Sequence, residues 1–167
     1  CGTVFELAPD GTETILHAFQ GGTDGEIPQN GVVEDSVGNL YGTTLGGGTG
    51  AVGTVFEVTP DGSETVLYSF QPGPGGELPT AGVILDKVGN LYGTTYYGGS
   101  TGCKGPGCGV VYELAPDGTE TVLDAFELRR DGRNPTAGLL LGAHGDLYGT
   151  TNEGGDDNNG VVFELKE

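Results

Sequence analysis

The amino-acid sequence predicts an all-β protein, a propeller-type repeat of four-stranded antiparallel blades, and three observations carry that prediction. The segment Gly2 to Gly11 (GTVFELAPDG) returns as GTVFEVTPDG from Gly53, as GVVYELAPDG from Gly109, and shortened to GVVFELKE from Gly160. A second block, GNLYGTT from Gly38 and Gly89, recurs as GDLYGTT from Gly145, so the copies stand 51 and 56 residues apart. A period of this size marks an array of like units. Within each period the apolar residues fall in four short runs bounded by turn residues, a strand pattern. Asp-Gly pairs (Asp10-Gly11, Asp61-Gly62, Asp117-Gly118) follow one of these runs in each unit, where glycine provides the positive φ of a tight reversal. A β-solenoid, the main rival, has shorter coils and lacks such hairpins.

The four strands of a unit follow in order. The first is GVVED at Gly31, GVILD at Gly82 and GLLLG at Gly138. Its consecutive apolar residues (Val32-Val33, Val83-Ile84-Leu85, Leu139-Leu140-Leu141) predict a strand buried on both faces. The second is NLYGTT, joined to the first by a short turn such as Ser36-Val37-Gly38. TVFEL is the third, and the fourth is ETILHAF, ETVLYSF or ETVLDAF, closing on Phe19, Phe70 or Phe126. An inner strand facing a crowded axis and an outer strand meeting water are what a propeller blade requires.

Loop lengths sharpen the pattern. From the closing Phe to the next unit's Gly is 12 residues each time, with Pro28, Pro79 and Pro135 three residues before that Gly, so this connection should pack alike in every unit. The loop between second and third strands spans 9 residues from Thr44 or Thr151 but 14 from Thr95, which predicts an exposed tip that absorbs the extra length. The chain therefore reads as one repeat domain, 1-167, made of a partial blade 1-19, blades 31-70 and 82-126, and a partial blade 138-165, with thirteen strands. Both ends carry a third strand, so the expectation is a portion of a larger array, or blades completed between chains by strand addition.

Composition narrows the partners. Twenty-four acidic residues against six basic ones give a net charge of −18, which repels phosphate backbones and anionic lipid surfaces and argues against nucleic acid as a partner. No apolar run approaches the eighteen or so residues of a membrane-spanning helix, so membrane insertion is not expected.

Cys103 and Cys108 bracket KGPG in the long tip, close enough for a disulfide; a metal site is the alternative, but two thiols with no nearby His or second Cys pair make a poor zinc site. A disulfide there points to an extracytoplasmic setting. Cys1 precedes Gly2 as Cys108 precedes Gly109, which leaves three readings: a partner further upstream, a bond to another molecule, or a lipid-modified terminus.

Catalysis needs unlike residues brought together, and a repeat supplies the same ones again. His17 and His144, the two histidines, have no nucleophile or carboxylate partner at a known spacing, and no phosphate-loop, dinucleotide or nucleophile-elbow motif is present. Glu6, Glu57, Glu113 and Glu164 hold one place in every third strand, where bonds to Thr14, Thr65 and Thr121 on the fourth strand are expected in preference to a functional ring. Asp156, Asp157 and Asn159 offer hard oxygen ligands for Ca2+ but lack the bidentate Glu and spacing of an EF-hand loop. Tyr41, Tyr92 and Tyr148 recur and suit packing between blades; Tyr96 and Tyr97, particular to one tip, are the candidates for ligand contact.

The joint pattern of P-x-A-G-V at Pro79, GNLYGTT at Gly89, a Gly-rich tip, G-T-V-F-E-L-x-P-D-G and a strand ending in Phe resembles the choice-of-anchor tandem repeat, or GloVer-type, family along essentially the whole chain. The resemblance implies bacterial extracellular, propeller-like repeats on surface or secreted proteins, with no catalytic residues to carry over. The expected function is a non-catalytic extracellular structural or adhesive repeat module, a subunit of a larger assembly, whose partners are other copies of itself or cell-surface protein and glycan. No cofactor is expected beyond Ca2+. A glycan- or Ca2+-binding propeller module is the alternative, followed by a hydrolase on a propeller scaffold.

Overall fold

The computed structural model describes residues 1–100, 102–103, 105–127 and 132–166. Among them are fourteen strands and a single 3-10 turn, Gly22–Asp24. The first sheet pairs β1 (Thr3–Leu7) with β2 (Glu13–Ala18). The second is an antiparallel meander of β3 (Val33–Glu34), β4 (Leu40–Thr44), β5 (Thr54–Val58) and β6 (Glu64–Ser69). The third repeats it as β7 (Ile84–Leu85), β8 (Leu91–Thr95), β9 (Val110–Leu114) and β10 (Glu120–Ala125). In the fourth, β12 (Leu140–Leu141), β13 (Leu147–Glu153) and β14 (Val162–Leu165) follow the same order, and β11 (Arg133–Pro135) adds to the far end of β13.

That added strand is the connection between blades made regular. In the second and third sheets the same position forms single bridges, Glu26 to Gly46 and Glu77 to Tyr97, where the fourth has Arg133 opposite Glu153 with their side chains ion-paired. The connections pack alike. Ile27, Leu78 and Asn134, each just before the repeated proline, all take a left-handed backbone, with φ of 61°, 56° and 53°. Asn tolerates that conformation better than Ile or Leu. Successive connections also touch: Asn30 Nδ2 donates to the Thr80 carbonyl at 2.8 Å, and Thr80 Oγ1 to the Pro135 carbonyl at 3.0 Å.

Alternation along the third strand divides its side chains between two neighbours. Phe56 and Val58 pack with Val4 and Phe19 of the first sheet, whereas Val55 packs with Val83, Leu91, Val110, Tyr112 and Leu114 of the third. The closing Phe of each fourth strand meets the third-strand aromatic of the next sheet edge-on: Phe19 on Phe56 at 5.0 Å, Phe70 on Tyr112 at 5.2 Å, Phe126 on Phe163 at 5.1 Å. These rings explain the glycine of LYGTT. A Cβ at Gly42 would lie 2.6 Å from Phe56 Cζ, and one at Gly93 or Gly149 would overlap the ring of Tyr112 or Phe163.

The first strand of each unit departs from expectation. It is two residues long, and Val32 and Leu140 are 39% and 66% exposed, although Val83 and Leu139 are buried. Burial peaks in the third strand instead, where Val55, Phe56, Val58, Val110, Val111, Tyr112 and Leu114 are all inaccessible. The third strand has strands on both sides and sheets on both faces. The first lies at a sheet edge, and an apolar run does not by itself distinguish an edge from a centre.

Truncation of an inter-sheet ring should be costly where it is covered and cheap where it is not. Phe70→Ala is expected to lower unfolding stability by about 3–5 kcal/mol. Phe5→Ala, on the third strand at the place of Phe56 and Tyr112 but with the ring 54% exposed, should cost under about 1 kcal/mol. Denaturant unfolding of both variants measures the difference.

Candidate functional site

The boundaries between sheets open into related crevices, two of which pair a tyrosine with a glutamate. Their wall begins with the turn after the first strand. Asp86 Oδ1 accepts the backbone N–H groups of Val88, Gly89 and Asn90 at 2.8–2.9 Å, and Oδ2 accepts Asn90 Nδ2 at 3.0 Å and the Tyr92 hydroxyl at 3.2 Å. Asp35 repeats this with Val37, Asn39 and Tyr41. Burial alone would raise the carboxyls of Asp35 and Asp86; the amide and hydroxyl donors outweigh it and hold both below the ordinary value.

Strand register then sets each tyrosine opposite a third-strand glutamate: Tyr41 with Glu57, Tyr92 with Glu113, Tyr148 with Glu164. The Tyr41 hydroxyl lies 2.9 Å from Glu57 Oε1 and that of Tyr148 2.8 Å from Glu164 Oε1. Thus Glu57 takes a phenol hydroxyl from the second strand rather than the expected hydroxyl of Thr65, its register partner on the fourth, whereas the Tyr92 hydroxyl, opposite Glu113, turns to Asp86. A phenol reaches further across the pleat than a threonine. Burial, then the adjacent Glu57 and Asp35, push the Tyr41 hydroxyl up to about 12, although Asn39 opposes them.

Leu67, Leu91 and Leu114 complete the crevice of Tyr41 and Glu57, with a volume of about 240 Å³. The equivalent crevice one sheet on, lined by Tyr92, Glu113, Leu123, Leu147, Leu165 and Lys166, has a volume of about 120 Å³. One sheet back, Glu6, Leu16 and Leu40 line a wider space of about 540 Å³. Paired carboxylate and phenol oxygens over an apolar floor can hydrogen-bond a small polar group.

The other predicted residues lie apart from these crevices. Tyr96 and Tyr97 are half-buried and edge-on to each other at 4.7 Å, with their backbone bonded to Leu78 and Glu77. Asp156, Asp157 and Asn159 are exposed in the last tip; among the described residues none joins a cluster of three His, Cys, Asp or Glu ligands. His144 is exposed in a turn. Cys103 and Cys108 form a disulfide, with Cα atoms 5.6 Å apart, and Cys1 is exposed and free. The long tip was expected to be exposed, but both bonded cysteines are buried, against Val111, Phe126, Leu139 and Leu147. His17, for which the spacing suggests no partner, has Asp24 at 3.1 Å and Glu64 close by. Asp24 lies seven residues on in the same unit, whereas Glu64, 47 residues on, is brought to them by the stacking of the first sheet on the second.

Like sheets stacked face to face, with like crevices at their boundaries, define an all-β repeat protein of propeller type. The chain belongs to the Gloeobacter/Verrucomicrobia repeat family, whose model matches residues 1–167. No curated protein matches it. Among solved structures, the X-ray structure of a protein provisionally named a gluconolactonase is similar, with a TM-score of 0.60 and 21% identity over 99% of this chain and 53% of that one. The chain thus spans about half the length of that protein, and at this identity the likeness is one of fold. No helix among the described residues is long and apolar enough to cross a membrane.

Two outcomes follow for stability. A carboxyl whose folded value is depressed stabilises above its unfolded value and ceases to do so as pH falls through the folded one. Asp86→Asn should therefore be less stable than the parent at pH 6, the gap closing below about pH 4; urea midpoints across that range test it. Reducing Cys103–Cys108, which closes a short loop, should lower unfolding stability by about 2 kcal/mol, measured by denaturation with and without reductant.

Proposed function

We propose that the chain is a non-catalytic extracellular structural or adhesive module in which stacked blades form a rigid platform. The observation that carries this reading is the repetition of one carboxylate–tyrosine crevice at successive blade boundaries. Multiplying a weak contact suits adhesion, where several sites bound together raise avidity. Turnover instead requires an acid, a base or a nucleophile of unlike character meeting at one place. The buried disulfide supports an oxidising, extracellular setting. Phe5 and Leu7 on the first sheet and Val162 on the last are 54%, 63% and 79% exposed, and a further blade could cover them as inner blades cover one another. Other copies of the chain, or cell-surface protein and glycan, are the partners this suggests.

Glycan binding is a specific form of the same reading, favoured by the Tyr41–Glu57 and Tyr92–Glu113 pairs over leucine floors. A hydrolase stands against it, because the similar fold is that of a protein named for lactone chemistry. Incubation of the purified chain with a panel of sugar lactones, with and without divalent cations, should give no rate above buffer; turnover would overturn the proposal. Binding to a glycan array should appear for multivalent display and weaken at least tenfold in Tyr41→Phe/Tyr92→Phe. Retention of full binding by that double variant would remove the crevices from the function.

A further inference from the structure

The boundary between the first and second sheets holds a group of unlike side chains that its counterpart lacks. His17 comes from β2, Asp24 from the 3-10 turn after it, and Glu64 from the start of β6. One ligand atom from each lies within 4.8 Å of the other two. His17 Nε2 and Asp24 Oδ1 stand 3.1 Å apart, with side chains 17% and 22% exposed. Two ligands about 2.1 Å from a tetrahedral ion stand about 3.4 Å apart. The His–Asp pair, at 3.1 Å, is already close to that spacing, and a rotation of the Glu64 side chain closes the rest.

The surroundings hold these groups in place. Asp24 Oδ2 accepts the Gln20 backbone N–H at 2.5 Å, which fixes the carboxylate with Oδ1 toward the imidazole. The His17 ring packs edge-on against Phe19 at 4.8 Å. Glu64 Oε1 is buried with no hydrogen-bond partner, as is Glu120 Oε1 at the next boundary. Two carboxylates face each other here, and among the described residues neither is ion-paired to a Lys or Arg. A buried carboxylate oxygen left unpaired is costly unless a cation or proton meets it.

One boundary further on, the equivalent positions are Tyr68, Gly75 and Glu120. There the Tyr68 hydroxyl lies 3.4 Å from Glu120 Oε2, and a side chain built at Gly75 would point at both, its Cβ 3.5 Å from Glu120 Oε2 and 3.8 Å from the Tyr68 hydroxyl. The glutamate is common to the two boundaries. The imidazole occurs at the first alone; in the sequence of the third unit Asp124 stands at the position equivalent to His17, and Asp131 at that equivalent to Asp24. At one point of the array, therefore, a histidine joins two carboxylates that converge on it.

We propose that His17, Asp24 and Glu64 form a binding site for a divalent transition-metal ion of the zinc type, which fastens the first sheet to the second. One imidazole nitrogen and two carboxylate oxygens suit zinc, with water at the remaining position, and the imidazole disfavours Ca2+ and Mg2+, which take oxygen ligands. The ion would tie residues of two blades as the disulfide ties the tip of the third, and would stabilise the folded chain by mass action.

The test uses the whole chain, stripped with chelator and titrated with ZnCl2 by calorimetry, with Co2+ absorption as a second readout. Expected are one ion per chain bound at micromolar concentration, a Co2+ spectrum of nitrogen–oxygen ligation, and a melting temperature that rises with added Zn2+. The double variant His17→Tyr/Asp24→Gly installs the residues of the next boundary, a combination that already packs in this fold. It should weaken Zn2+ binding at least a hundredfold and abolish the thermal shift, while Glu120→Gln leaves both unchanged. Absence of binding below millimolar Zn2+ overturns the proposal, as does binding that survives the double variant.

Discussion

The contact on which the rest of the molecule depends is the edge-on meeting of a closing phenylalanine with the third-strand aromatic of the next sheet. Phe19, Phe70 and Phe126 each reach across a boundary to Phe56, Tyr112 and Phe163. A sheet of four short strands cannot cover its own apolar face, so each unit is stable only against a neighbour. The aromatic pair sets how closely the sheets approach and also selects the glycine in LYGTT, since no Cβ fits beneath the ring. Backbone composition and side-chain packing are thus one constraint, repeated at every boundary.

Repetition also governs the polar groups. An Asp-centred turn, a tyrosine and a glutamate recur because strand register fixes them to one another, and the resulting crevices differ chiefly in width. Where a copy departs from the pattern, the network contracts. Gly142 stands where Asp35 and Asp86 stand in earlier units, and Tyr148 there keeps its bond to Glu164 alone. Departures in the other direction add covalent or ligating groups: the disulfide of the long tip, and His17 beside Asp24 at the first boundary, where later units have Tyr68 and Asp124. Structural novelty in such an array arises at the positions where one copy stops resembling the others.

The charge of −18 is compatible with this construction because most carboxylates either face water or accept amide and hydroxyl donors of their own turn. Asp10, Asp61 and Asp117 each accept the N–H two residues on, and only the following glycine needs a positive φ, at 84–87°. Local turn chemistry thereby absorbs negative charge that the six basic residues could not balance.

The repeat, the hairpins and the constant connection were legible in the sequence, because identical segments meeting identical neighbours must fold alike and turn residues act over three or four positions. The disulfide was legible for the same reason of short range. The sequence alone did not show that the third strand, rather than the first, would be the most buried; both are apolar runs, and burial depends on what lies on either side of a strand. Nor could it show that Glu57 takes the hydroxyl of Tyr41 in preference to Thr65, since both flank it in register and side-chain reach decides. His17, Asp24 and Glu64 became a group only when two sheets were stacked. Contacts within a unit are written in its local spacing, whereas contacts between units exist only once the faces meet.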